Sequence, residues 1–114
     1  MNTWDVLILR FPFNDGTGAK ARPAVLISKD DYHQRGQDGL FVLVTGNTER
    51  EAPYDLIIPS THPEYAATGL IKPSAVRVDK IMNLQHSMVC RRLGCLGPIL
   101  QAAVKTKLRA FLDL

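Results

Sequence analysis

The sequence predicts a mostly β fold, a small curled sheet or barrel, finished by a single C-terminal helix. Two observations carry this. Six or seven short apolar runs follow one another between residues 4 and 93, separated by Gly, Pro, Asn and Asp. After Gly97-Pro98 the period changes, and Ile99, Leu100, Ala103, Val104, Leu108, Phe111 and Leu112 recur at helical spacing. The 114 residues suit one domain over 1–114, large enough for folding to bury about two-thirds of the chain's surface.

Taken in order, Trp4–Arg10 is β-branched and aromatic-rich and reads as a strand. Residues 11–22, FPFNDGTGAKAR, show turn character without periodicity and read as a mobile loop. Pro23–Ser28 is an apolar run suited to a buried strand, and residues 30–39 are polar and turn-rich. Leu40–Thr45 makes a third strand, stopped by Gly46-Asn47, and Tyr54–Ile58 a fourth, closed by Pro59. A loop runs on to Thr68-Gly69. Leu70–Lys72 and Ser74–Val78 follow, with Pro73 imposing an edge, bulge or break between them. Ile81–Leu84 and Met88–Leu93 are further short strands. The final helix opens with Pro98 in its first turn, where the missing N–H costs nothing.

Composition narrows the classes of function. Apolar residues form 46% of the chain and charged residues 22%, which is ordinary for a globular protein. No apolar run approaches the roughly 20 residues of a membrane span. Met1–Asp5 has no basic segment and no cleavage site of the signal-peptide kind, so no export signal is read there. Cys90 and Cys95 neither staple a scaffold nor complete a zinc site, which favours a reduced, cytoplasmic protein without membrane contact. The net charge of +3 identifies no partner, but it is unevenly spread. Residues 30–64 carry seven acids against two bases, and residues 72–109 carry eight bases against Asp79 alone. The basic part can attract a polyanion; for Lys105, Lys107 and Arg109 a solvated helix face serves as well.

No metal and no cofactor is expected. His33, His62 and His86 are scattered without ligand spacing and read as surface histidines. No serine sits in a nucleophile elbow, and Gly16-x-Gly18 lacks the rest of a phosphate-cradling loop. The informative stretch is Ser74–Lys80. On a strand, Val76 and Val78 point to the core while Arg77 and Asp79 project together, about 6 to 7 Å apart at their Cα atoms. That places a cation and a carboxylate beside one ligand-sized site, or else makes a plain surface ion pair. Arg22, before Pro23, is either a phosphate-binding fork or a solvated loop arginine. Thr45 offers a hydroxyl to a phosphate or caps its strand, and taken alone the cap is the simpler reading.

The ordered set Trp4-Asp5-Val6, FPFNDGTGAKARPAVLIS, FVLVTG, TGLIKPSAVRVDKI and RRLGCL resembles the PemK/MazF family of toxin endoribonucleases from residue 4 to about 97. The resemblance implies an SH3-like barrel with added helices. It implies a homodimeric, metal-independent enzyme that cuts single-stranded RNA, often mRNA, at short sequences and is inhibited by a cognate antitoxin. Arg22 corresponds to the functional arginine of the family's Arg-Pro pair, Thr45 to its threonine at the end of the third strand, and Arg77 and Asp79 to the Arg-x-Asp pair that some members use. These four are the expected catalytic residues. Lys20, Lys72, Lys80, Arg91 and Arg92 are expected along the RNA backbone, with Phe13 as a stacking partner beside Phe11; Trp4 is a further candidate for stacking but is read first as core. The chain departs from some members in lacking a histidine in the first loop and in carrying Met82-Asn83-Leu84 where Thr-Ile-Asp is common. Two other readings are a non-catalytic barrel that binds RNA or peptide, and a gyrase-poisoning toxin of the same fold.

Overall fold

The computed structural model describes residues 1–12, 19–50 and 52–114, without the side chains of Phe11, Pro12 and Ala19. Six antiparallel strands form one sheet: β1 Asp5–Pro12, β2 Ala19–Leu26, β3 Asp38–Thr45, β4 Asp55–Ile58, β5 Ser74–Gln85 and β6 Val89–Cys95. Their order is β4-β5-β3-β2-β1-β6. The described residues also form three α-helices, α1 Asp30–Arg35, α2 Tyr65–Thr68 and α3 Pro98–Leu112, and one 3-10 turn at His86–Met88. The fold is therefore mostly β with a C-terminal helix. The order ends at β4 and β6, and among the described residues no ladder joins those ends.

Each face of the sheet has its own apolar cluster, because side chains alternate along a strand. Val6, Val25, Val42, Val44, Ile58 and Val76 pack under Leu96, Leu100 and Val104 from α3 and the turn before it. Leu7, Leu9, Ala24, Leu26 and Phe41 fill the opposite face with Met82, Leu84 and Val89. Met82 and Leu84 of β5 and Val89 of β6, strands at opposite sides of the order, all pack against this one cluster, as a curled sheet allows.

Several elements differ from the sequence reading. Residues 11–12 and 19–22 are strand, because the β1–β2 ladder continues from Leu9↔Arg22 to Pro12↔Ala19; the rest of the expected loop lies outside the described residues. The polar stretch after Ser28 contains α1, and the loop after Pro59 contains α2. Leu70–Lys72 is not strand, and Ser74–Val78 and Ile81–Leu84 belong to one long β5. Gly69 ends α2 with φ +71°, and a Cβ there would strike the Leu93 backbone, so only glycine serves.

Tertiary contacts secure the short elements. The N-terminus of α3 has no cap of its own at Gly97. Glu64 instead accepts the backbone N–H groups of Ile99 at 3.0 Å and Leu100 at 2.8 Å. A carboxylate also suits the positive end of the helix dipole. His33 of α1 is fully buried, which corrects its reading as a surface residue. Ser28 Oγ accepts the Leu40 N–H at 3.2 Å and donates to His33 Nδ1 at 2.9 Å. The proton on Nε2 then goes to Asp30 at 3.1 Å, a tautomer assigned from the network. Asp30 also accepts from the backbone and hydroxyl of Thr3. His62 Nδ1 accepts from Glu64 N and His86 Nε2 donates to Asp38 O, so these two are also bonded and half-buried.

Candidate active site

Residues opposite each other in an antiparallel ladder share a face of the sheet. The register Leu7↔Ala24, Ala24↔Leu43, Leu43↔Arg77 and Arg77↔Asp55 runs across five strands on the face of the Phe41 cluster. Arg22 lies two residues from Ala24, and Thr45 two residues from Leu43, so both are on that same face. Continuing the Ala24↔Leu43 register brings Arg22 level with Thr45, although the ladder itself stops at Ala24. Three strands thus deliver Arg22, Thr45 and Arg77 to one end of one face, beyond the apolar cluster.

β5 has an irregularity at this point. Its pairing with β3 passes from Val42↔Ile81 to Leu43↔Arg77, so Val78, Asp79 and Lys80 bulge out of the β3 ladder. A bulge bends its strand and re-aims side chains. Val76 and Val78 are fully buried, while Arg77 and Asp79 are 20% and 33% exposed and face each other at 4.0 Å, Nε to Oδ1. The alternation read from sequence holds. Arg77 Nε and Asp79 Oδ1 are closed to solvent and have no hydrogen-bond partner among the described residues. Buried polar atoms are nearly always satisfied, so this pair differs from a solvated surface bridge.

Asp55, directly across from Arg77, is missing from the sequence-predicted set, and so is its partner. Arg50 from the β3–β4 connection grips Asp55 with Nε to Oδ2 at 2.9 Å and Nη2 to Oδ1 at 3.3 Å. The bond to Asp55 holds the Arg50 guanidinium above its ordinary range against desolvation, with the charges of Asp55 and then Asp79 adding to it. The available signal was an aspartate opening the apolar run Asp55–Ile58.

The other predicted residues divide. Arg22 is half-buried within β2 rather than at a loop end. Thr45 Oγ1 accepts the Asn47 N–H at 3.1 Å, which is the strand-end cap; its own proton stays available to a ligand. Lys20 on β2 and Lys80 in the bulge are exposed. Lys72 and Arg91 meet elsewhere, at a groove of about 200 Å³ lined by Ile8, Pro23, Leu70 and Leu93. Pro23 and Ile8 face away from Arg22 and Leu9, so this groove lies on the other side of the sheet. Gly46 lines it too, and a side chain there would collide with the Lys72 stem. Arg92, more than half exposed, has its Nε 3.1 Å from the buried carboxylate of Asp5. Trp4 packs on the α3-side cluster with Lys105 5.7 Å over its ring, so it is core rather than a stacking platform. Phe13 and the Phe11 side chain lie outside the described residues. Among the described residues, no three His, Cys, Asp or Glu side chains gather as a metal ion requires, and no helix is long and apolar enough to cross a membrane.

A sequence model of the family described as PemK-like, MazF-like toxin of type II toxin–antitoxin system matches residues 2–112. Comparison with curated proteins gives no match. Among solved structures, the Mycobacterium tuberculosis toxin MazF-mt6 is similar with a TM-score of 0.77 at 19% identity, over 96% of this chain and 97% of that one. An endoribonuclease in complex with its cognate antitoxin, from Mycobacterial species, gives 0.75 at 21% identity, over 100% of this chain and 96% of that one. A MazE–MazF structure from Deinococcus radiodurans gives 0.78 at 21% identity, over 100% and 97%. At these identities the likeness to the solved structures is one of fold.

Proposed function

Because the chain belongs to the PemK-like, MazF-like toxins of type II toxin–antitoxin systems, a family of endoribonucleases, we propose that it cuts single-stranded RNA at specific short sequences by attack of the 2′-hydroxyl. The observation that carries this reading is the Arg77–Asp79 pair, aimed from one face of a bulged strand and unsatisfied at its facing atoms. Asp79 takes the 2′-hydroxyl proton as the 2′-oxygen bonds to phosphorus. Arg77 and Arg22 stabilise the charge that builds on the phosphoryl oxygens. Thr45, already accepting from Asn47, donates its own proton to a phosphoryl oxygen. The bond from phosphorus to the 5′-oxygen then breaks. Arginine does not release a proton under these conditions, so water protonates the leaving 5′-oxygen. The products are a 2′,3′-cyclic phosphate and a 5′-hydroxyl. The nucleophile belongs to the substrate, and the mechanism asks for no metal.

Lys20 and Lys80 are exposed cations on the strands that carry the site, and in this reading they hold the RNA backbone. Lys72 and Arg91 continue that track round the strand end at Gly46. The whole of 1–114 works as one toxin domain, paired as a homodimer in the cytoplasm and silenced by a cognate antitoxin. A similarly folded endoribonuclease bound to its cognate antitoxin supports the last point.

The test is cleavage of a long single-stranded RNA in excess EDTA by wild type and Arg77→Ala. Discrete cuts with 2′,3′-cyclic ends, lost in the variant and on a substrate 2′-deoxy at the cut position, are expected. Cleavage of the deoxy substrate, or dependence on a metal, sinks the mechanism. Binding of the same RNA by folded wild type without any cut turns the reading to a binding module.

A further inference from the structure

Arg77 presents a puzzle of electrostatics. Asp55 stands directly across the β4–β5 ladder from it, on the same face, with a carboxylate that is 4% exposed. Opposed residues in such a ladder have Cβ atoms about 4.5 to 5.5 Å apart, and an arginine fork suits a carboxylate well. Yet Arg77 Nε has no hydrogen-bond partner among the described residues, and both Asp55 oxygens are taken by Arg50.

We infer that Arg50 is a positioning residue: by occupying both oxygens of Asp55, it prevents that carboxylate from capturing Arg77 and keeps the Arg77 guanidinium open for a phosphate. The inference rests on the proposed chemistry at Arg77 and Asp79, to which it adds a supporting residue. Arg50 is well placed for this. It comes from the connection between Thr45 and β4, and its fixed fork meets two oxygens at once, which a lysine ammonium does not do. Only a quarter of its side chain is exposed, so the bridge to Asp55 is partly shielded from water and salt. The cost of leaving Arg77 Nε unpaired in the resting protein is recovered when the phosphate arrives. Such an arrangement is preorganisation: Arg77 Nε has no hydrogen bond to break during the reaction, and its pairing with Asp79 is a long one at 4.0 Å.

Three variants test this, each read by kinetics and by the NMR signal of the Arg77 Nε–H. Arg50→Met releases Asp55. The expected result is a loss on the order of 100-fold, falling on kcat more than on KM, with the Arg77 Nε–H signal moved downfield as Asp55 bonds to it. Arg50→Met combined with Asp55→Asn removes the captor as well as the guard. Its rate is expected to recover to within about tenfold of wild type, with the Arg77 signal back near its original position. If Arg50→Met does not fold, Arg50→Lys, which meets only one Asp55 oxygen, is expected to give a smaller shift and an intermediate rate. An unmoved Arg77 signal in folded Arg50→Met or Arg50→Lys overturns the inference. So does a double variant as slow as Arg50→Met alone, since Arg50 then touches the RNA itself. Failure of the nuclease reading looks different: wild type does not cut, while the Arg77 signal still responds to Arg50.

Discussion

Two polar clusters in this chain are built in opposite ways. Around His33, both ring nitrogens, the Ser28 hydroxyl and the Asp30 carboxylate are all engaged, and the histidine is fully buried. At the bulge of β5, Arg77 and Asp79 stand 4.0 Å apart, with facing atoms that are buried and unbonded. On paper the first looks more like catalytic machinery, since it aligns a serine, a histidine and an aspartate. Saturation argues otherwise. A serine that already accepts from the Leu40 backbone and donates to His33 ties α1 to β3 and, through Thr3 and Asp30, to the start of the chain. Unspent hydrogen-bonding capacity, held in place by surrounding structure, sets the other cluster apart and is what the proposed function draws on.

Substitution can break this contrast. Arg77→Ala removes a cation whose one ion pair among the described residues is the long contact with Asp79. RNA cleavage should fall on the order of 10² to 10³-fold, with the melting temperature unchanged or raised, as measured by thermal unfolding beside the cleavage assay. A large loss of stability would place Arg77 among the structural residues. His33→Ala should do the reverse. It leaves a cavity and strands the Ser28 hydroxyl, for a loss of about 2 to 4 kcal/mol in denaturant unfolding. The rate per folded molecule should stay as in wild type; a fall in that rate would make the His33 network part of the site.

Smaller effects sharpen the same distinction. Glu64→Ala strips α3 of two charge-assisted bonds and should cost about 1 kcal/mol, without altering the cut sites. The smallest effect is one of pH. The Thr3 backbone N–H, followed by the Thr3 hydroxyl and His33, holds the Asp30 carboxyl below the usual carboxylate range against desolvation. A carboxyl lowered on folding stabilises the protein above its unfolded pKa, and that contribution is lost as pH falls through the folded value. Asp30→Asn should therefore lower the melting temperature at neutral pH and lose this effect in strong acid. An equal deficit at both pH values would remove the titration of Asp30 from the explanation.

What could be read from the sequence followed from local rules. Two-residue alternation was enough to put Arg77 and Asp79 on the face opposite Val76 and Val78, and Gly97-Pro98 with a helical apolar period was enough to start α3. What could not be read came from distant partners. Arg22 sits within a strand because β1 continues to pair with it beyond Pro23, which itself lies just past the end of the β2–β3 ladder. α1 has six residues and no side-chain cap, too short to announce itself, and is fixed by burial of His33. Arg50 and Asp55 acquire meaning only when β4 is laid beside β5, a pairing that periodicity does not specify. Arg92 meets its partner Asp5 only when β6 is laid beside β1.

The strand order has a consequence for how the molecule comes into being. β1 is made first but lies between β2 and β6, with Asp5 paired to Cys95 and Leu9 to Val89. Pairings this distant along the chain form slowly, because loop closure must precede any gain from contact. Arg22, Thr45, Arg77 and Asp79 all precede β6, whose Val89 packs on the Phe41 cluster of their face. The strands that carry them, β2, β3 and β5, are neighbours in the sheet and pair without β6. The return of β6 to the first strand completes the apolar cluster on their face of the sheet.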